Sequence, residues 1–204
     1  MSKIKAFLNG RKEHKTEIEK TENGVLITLH DLVFLVAGVL LVFSLLFRVV
    51  VVSGPSMNDT LVNGDWLLLV GNVLYGEPQK GDVIVASKDS FDDGAPIIKR
   101  VIATEGETVD IDFDAGIVYV NGQALVENYT RTPTNLYEGV DFPVTVEKGC
   151  VFVMGDNRNK SKDSRSHEIG QVDTREILGR AVFLIMPGKD DVHPREFSRI
   201  GGIF

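Results

Sequence analysis

Cysteine is almost absent from the chain: Cys150 is the only one in 204 residues, so no intramolecular disulfide can form. It stands in the apolar run Cys150-Val151-Phe152-Val153 with no basic residue beside it, which reads as a buried structural thiol and not a nucleophile. Histidine is scarce as well, at four residues. A basic excess is missing: the formal net charge is -7, which excludes a large basic surface for nucleic acid. Internal repeats, low-complexity segments and the regular βαβ alternation of a parallel sheet are absent too.

Long apolar runs are also rare, with one exception. Met1 to Asp31 mixes charges of both signs and reads as a solvated tail, partly helical at best. Leu32 to Phe47 then holds no charged residue, and after Arg48 come four valines. A helix over 32–52 would be roughly 31 Å long, enough to cross a bilayer core of about 30 Å. Arg48 would snorkel near one end, and Thr28 with Asp31 has the spacing of a capping box at the other. The competing readings are a buried core helix, for which the run is too long and too apolar, and a cleaved secretory signal, for which the apolar stretch is long and the leading segment unusually extended. Lys3, Lys5, Arg11, Lys12, Lys15 and Lys20 precede the span, and after Arg48 the next cation is Lys80. This bias places 1–31 in the cytoplasm and 53–204 outside the membrane.

After Ser53 short apolar stretches alternate with turns. Strands are predicted over 66–70, 83–86, 97–103, 108–111, 117–120, 151–154 and 177–186. Asn121-Gly122 predicts a hairpin turn, and 89–94 and 112–116 are acidic, turn-forming loops. The expected fold is therefore mainly β: an antiparallel β-sheet domain following one N-terminal transmembrane helix.

Three stretches could carry chemistry. In Ser53-Gly54-Pro55-Ser56-Met57-Asn58-Asp59-Thr60-Leu61, Gly and Pro make a stiff turn that could expose Ser56. Pro55 has no N–H, whereas the N–H of Ser56 can donate to an oxyanion. In Pro96-Ile97-Ile98-Lys99-Arg100-Val101-Ile102, two cations interrupt a β-branched run. Both strand faces are apolar, so alternation does not say which cation points inward; only lysine can shed its proton when desolvated. The third, Gly155 to Arg165, is polar and directly follows an apolar strand, where it could form a hydrogen-bonded wall. Taken singly, each has a plainer reading as linker, solvated strand or surface loop.

Together they resemble signal peptidase I of bacteria. That family is marked by a Ser-Gly-x-Ser-Met-x-Pro-Thr-Leu-like motif just after a transmembrane helix, matched from Ser53. A Gly-Asp-Ile-Val-Val-like strand is matched by Gly81-Asp82-Val83-Ile84-Val85, and an Ile-Lys-Arg-Val-Ile strand by Ile98 to Ile102. Gly-Asp-Asn-Arg-x-x-Ser-x-Asp-Ser-Arg is matched at every fixed position from Gly155 to Arg165. The resemblance covers about Leu32 to Met186 and is similar to the compact enzymes of Gram-positive bacteria. It implies a Ser–Lys dyad with Ser56 as nucleophile and Lys99 as general base, Ser161 orienting the Lys99 amine, Asp163 and Arg165 bracing the site as an ion pair, and the Ser56 N–H serving the oxyanion. It further implies exported preproteins as substrates, cut after small residues at −3 and −1, a lipid bilayer around the anchor, and proximity to the export translocon. No metal, nucleotide or other cofactor is implied.

Two places depart from the pattern: Asp59 stands where a proline is usual, and Thr104-Glu105-Gly106-Glu107 replaces a Leu-Pro-Gly-Asp-like stretch. Gly54 fits the motif but falls where some relatives carry an oxyanion-stabilising serine. The rival chemistry is a Ser–His pair, with His167 as the candidate and His193 in the tail. A self-cleaving repressor-type Ser–Lys protease would share the chemistry but lacks a membrane span. A tethered β-domain that only binds exported proteins would not need Ser56 and Lys99 together.

Overall fold

A computed structural model of the chain describes residues 2–88, 91 and 94–203, with residues 2–23 described as backbone only. The chain divides into two compact units between Leu45 and Leu46. The first is helical. Helix α1 runs over Ser2–Leu46, so the charged tail is helical from its start and not a largely irregular segment. The sequence explains this: residues 2–23 contain no proline and are rich in lysine and glutamate, which lose little rotamer freedom in a helix. Its apolar part, Gly24–Leu46, is 23 residues with a mean hydropathy of 2.5, long enough to cross a bilayer, and none of it is buried. Thr28 does not cap a helix start; its hydroxyl donates to the Gly24 carbonyl at 2.9 Å inside the helix.

The helix stops earlier than its apolarity suggested. Phe47–Val51 is strand β1, paired antiparallel with β2 (Trp66–Gly71) from Phe47↔Val70 to Val51↔Trp66. Valine is stiff at χ1 and packs well on a pleated surface, and here β2 supplies a backbone ladder, so the four valines leave the helix. Arg48 is accordingly an exposed residue of β1, not a helix terminus. The expected boundary after Val52 thus falls six residues later than the structural one at Leu46.

The remaining strands are β3 (Val83–Ser87), β4 (Pro96–Thr104), β5 (Thr108–Asp112), β6 (Ile117–Val120), β7 (Gln123–Ala124), β8 (Val144–Thr145), β9 (Cys150–Met154), β10 (Val172–Asp173), β11 (Ile177–Met186) and β12 (Gly201–Gly202). The larger sheet has the order β1-β2-β11-β3-β4-β9-β10, with β12 pairing β11; the smaller is β7-β6-β5-β8. All pairings are antiparallel, and every predicted strand is present. Asn121 and Gly122 join β6 to β7 with φ of 51° and 75°, the two positive values of a type I′ hairpin turn. The acidic loop expected at 89–94 lies outside the described residues except for Phe91 and Gly94.

Apolar clusters position the site from both sides. Met57 and Leu61, each 1% exposed, sink from the segment after β1 into a cluster with Leu67, Leu69, Val85 and Leu184. Phe152 and Met154 of β9 pack with Ile102, Val109 and Val118, joining the small sheet to β4 and β9. Cys150 is only half-buried at the margin of that cluster, less enclosed than its apolar run suggested. Burial raises its thiol pKa, which leaves it a poor nucleophile.

Candidate active site

Three elements converge on one cleft of about 330 Å³. The turn after β1 contributes Ser56, β4 contributes Lys99, and Val50, Val52, Ile97 and Ile98 supply apolar walls. The valines that apolarity assigned to the membrane span therefore line this cleft.

The turn is built from backbone and core contacts. Gly54 has φ of 88°, a left-handed conformation that a side chain would strain, and its N–H donates to Asn63 Oδ1 at 3.0 Å. Met57 and Leu61 anchor the following residues. From the opposite side, the Asn157 N–H donates to the Ser56 carbonyl at 3.0 Å and Asn157 Nδ2 to the Pro55 carbonyl at 3.1 Å. Gly155 permits this approach: a Cβ there would stand 2.2 Å from Ser161 Oγ and 2.5 Å from the Ser56 carbonyl oxygen. Among the described residues no hydrogen bond engages the Ser56 N–H.

Lys99 is 5% exposed. Its Nζ donates to Ser56 Oγ at 3.0 Å and to the Ile98 carbonyl at 3.0 Å. No carboxylate among the described residues lies within ion-pair distance of it. Burial lowers its pKa below the ordinary lysine value; the more distant Asp163, Glu138 and Asp156 oppose that shift without reversing it.

Arg100, its neighbour, is buried on the other face of β4. Its Nε and Nη2 donate to the two oxygens of Asp156 at 2.9 and 2.7 Å, and its guanidinium stacks over Tyr129, 4.1 Å from the ring centroid.

The loop after β9 is folded back by the Ser164 N–H donating to the Val153 carbonyl at 3.0 Å and by Ser164 Oγ accepting from the Val153 N–H at 2.9 Å. Asp163 and Arg165, both 0% exposed, form a forked pair through Nε–Oδ1 and Nη2–Oδ2, each at 2.8 Å. Asp163 Oδ2 also accepts from the Gly155 N–H and from Ser161 Oγ, both at 2.9 Å. The Ser161 hydroxyl is thus directed to Asp163, and the second partner of the Lys99 amine is the Ile98 carbonyl. The structure therefore brings Ser56 and Lys99 into direct contact and Ser161, Asp163 and Arg165 into a separate bonded group beside them.

Several participants lay beyond sequence reasoning. Arg158, 0% exposed, donates to Glu127, to Thr134 Oγ1 at 2.9 Å and to the Gly155 carbonyl at 3.1 Å. Asp65, also 0% exposed, accepts from Arg199 Nη1 at 3.0 Å and Nη2 at 2.6 Å. Arg158 and Asp156 belong to a recognisable motif, but their partners Glu127 and Arg100 are remote in sequence, and nothing local flags the pair Asp65–Arg199. Glu138 has an oxygen, Oε2, that is buried without a hydrogen-bond partner among the described residues, and burial followed by the nearby Asp163 raises its pKa. His167 is exposed beside Gly139 and makes no hydrogen bond to Ser56, so the Ser–His alternative has no geometry behind it.

Comparison with known proteins agrees with this architecture. Residues 26–186 match the family model described as signal peptidase, peptidase S26. The chain is 35% identical to signal peptidase I of Bacillus licheniformis over 156 residues, covering 72% of this chain and 81% of that protein. It is 41% identical to a probable signal peptidase I-1 of Synechocystis over 163 residues, covering 73% and 79%. With signal peptidase I S of Bacillus subtilis it shares 32% identity over 182 residues, covering 85% and 95%. The chain therefore belongs to the bacterial type I signal peptidases, the serine proteases of the S26 family that remove signal peptides from preproteins.

Proposed function

We propose that Ser56 and Lys99 act as a catalytic dyad. The observation that carries this reading is the 3.0 Å contact between Ser56 Oγ and a buried lysine amine that has no carboxylate partner among the described residues. Neutral Lys99 takes the Ser56 proton as Oγ attacks the scissile carbonyl. The unengaged N–H of Ser56 stabilises the oxyanion, and the Lys99 ammonium then protonates the departing amine of the mature chain. A water deprotonated by Lys99 hydrolyses the acyl-enzyme, and the second proton transfer returns Ser56 to its hydroxyl form. Asp163 and Arg165, with Ser161, brace the wall behind the dyad.

The cleft of about 330 Å³, with its walls of valine and isoleucine, supports small residues at −3 and −1 of the preprotein. The exposed apolar part of α1 supports a single-pass anchor in the lipid bilayer, and the cation bias supports a cytoplasmic N-terminus with the β-domain outside, within reach of the export translocon. The test is incubation of the detergent-solubilised protein with a preprotein carrying an Ala-x-Ala site, followed by mass analysis. One cut after the second alanine, lost in Ser56→Ala, is expected; cleavage surviving in Ser56→Ala would overturn the dyad.

A further inference from the structure

Asp59, the residue that replaces a proline in the motif, has partners of its own. Its Oδ1 lies 2.9 Å from His193 Nε2 and accepts from Arg131 Nη1 at 3.3 Å. The other ring nitrogen, His193 Nδ1, lies 2.9 Å from Oδ1 and 3.0 Å from Oδ2 of Asp190. Asp190 is itself fixed: it accepts from the backbone N–H groups of Val192 and His193 at 2.9 and 2.7 Å, and from Asn58 Nδ2 at 3.2 Å. The imidazole therefore joins the turn that carries Ser56 to the carboxy-terminal segment. The charged groups bonded around it are Asp59 from the turn, with Arg131 behind it, and Asp190 from its own segment.

Carboxylates only accept hydrogen bonds, and a neutral imidazole has a single N–H. Both short contacts are satisfied together only by the imidazolium. After deprotonation one ring nitrogen presents a lone pair to a carboxylate, and one side of the bridge opens. The hydrogen bond to Asp190 raises the His193 pKa more than burial lowers it, and the bond to Asp59 raises it further.

We propose that His193 is a positioning residue for Ser56: as the imidazolium it ties Asp59 to Asp190 and holds the nucleophile turn in place, and this hold is lost when the ring deprotonates. The inference rests on Ser56 being the nucleophile. The sign follows from the raised value. The bridge is complete below the ordinary histidine pKa of about 6.5 and is lost as pH rises through the higher folded value. Lys99 works in the opposite sense, since it must shed a proton to act. The enzyme then has a rising limb from Lys99 and a falling limb from His193.

The test uses the full-length protein in detergent, as wild type, Asp59→Asn and His193→Gln. With a preprotein substrate across about pH 6 to 10, wild-type kcat should fall at least about threefold on the alkaline side, and both variants should lack that limb while keeping the rising one. Melting temperatures at the acidic end establish that the variants are folded. A readout independent of cleavage is NMR: the amide signals of Ser56 and Met57 should follow the His193 titration in wild type, and in Asp59→Asn that titration should move toward the ordinary histidine value and leave them still. An alkaline limb that survives in both variants, or turn amides that ignore the titration in wild type, overturns the inference. Absence of cleavage with the amide coupling intact counts against the dyad and not against the bridge.

Discussion

Lys99 and Arg100 are consecutive residues of β4, and both are sealed from solvent, with 5% and 2% of their surfaces exposed. Alternation along the strand sends them to opposite faces, and the faces treat them differently. Arg100 meets a fully buried carboxylate in a forked pair, the Gly81 carbonyl at 2.8 Å and the ring of Tyr129. Its positive charge is compensated wherever it points. Lys99 meets a hydroxyl and a peptide carbonyl, neither of which carries a charge. Burial without an opposite charge disfavours the protonated form, and burial with one preserves it. Two cations in one strand thus become a structural brace and a group poised to give up its proton.

The comparison breaks most severely at Lys99→Arg. A guanidinium keeps its proton at any working pH, so it can sit near Ser56 without accepting a proton from it. On the proposed mechanism, turnover of a preprotein at saturating concentration should drop on the order of 10⁴-fold or more. Near-normal turnover in Lys99→Arg would remove the dyad.

One substitution made at both positions should give opposite signs. Arg100→Met leaves Asp156 buried and unpaired, which costs about 3–5 kcal/mol of stability. Lys99→Met removes a buried amine that has no opposite charge beside it among the described residues; it should raise stability by about 0.5–2 kcal/mol and, on the proposed mechanism, abolish cleavage. The gain depends on pH. Because the folded pKa of Lys99 is lowered, between that value and the ordinary one the unfolded chain holds a proton that the folded chain has lost. Wild-type stability therefore rises with pH across this window, and Lys99→Met should lose that slope. Thermal melts at several pH values measure both effects; equal destabilisation by the two substitutions would dissolve the contrast between the faces.

Much of this was visible in the sequence, and what was hidden has identifiable causes. Strands such as Val83–Ser87 and Ile117–Val120 announced themselves because β-branched runs end at turn-forming residues, and the Asn121-Gly122 hairpin because both positions adopt positive φ. Apolarity does not locate the end of α1, because it marks burial in lipid and burial in protein alike. Only the pairing of Phe47–Val51 with β2, a contact distant in sequence, separates the two. At the site, the motifs led to Ser56 and Lys99, but alternation along β4 could not assign the faces of Lys99 and Arg100. The partner of Arg100 lies 56 residues away, and that of Arg199 lies 134 away, so neither brace leaves a local trace. The Ser161 hydroxyl turns to Asp163 for a similar reason: the loop's own geometry, with the Gly155 N–H on the same oxygen, determines its direction.

The mildest change sharpens the comparison furthest. Arg100→Lys places a second lysine on β4, one residue from Lys99 and equally buried, but opposite Asp156. An ammonium cannot reproduce the fork, so one of the two charge-assisted bonds is lost, together with the planar stack on Tyr129. The cost should be about 1.5 kcal/mol, with turnover largely retained because the brace does not touch the reacting atoms. The informative measurement is the titration of the two amines by NMR of isotope-labelled lysine. The amine introduced at position 100 should keep its proton to at least the ordinary lysine value near 10.4, since Asp156 favours the charged form, whereas Lys99 should lose its proton below that value. Two amines that titrate together would show that burial alone governs both, and that the carboxylate on the far face does not distinguish position 100 from Lys99.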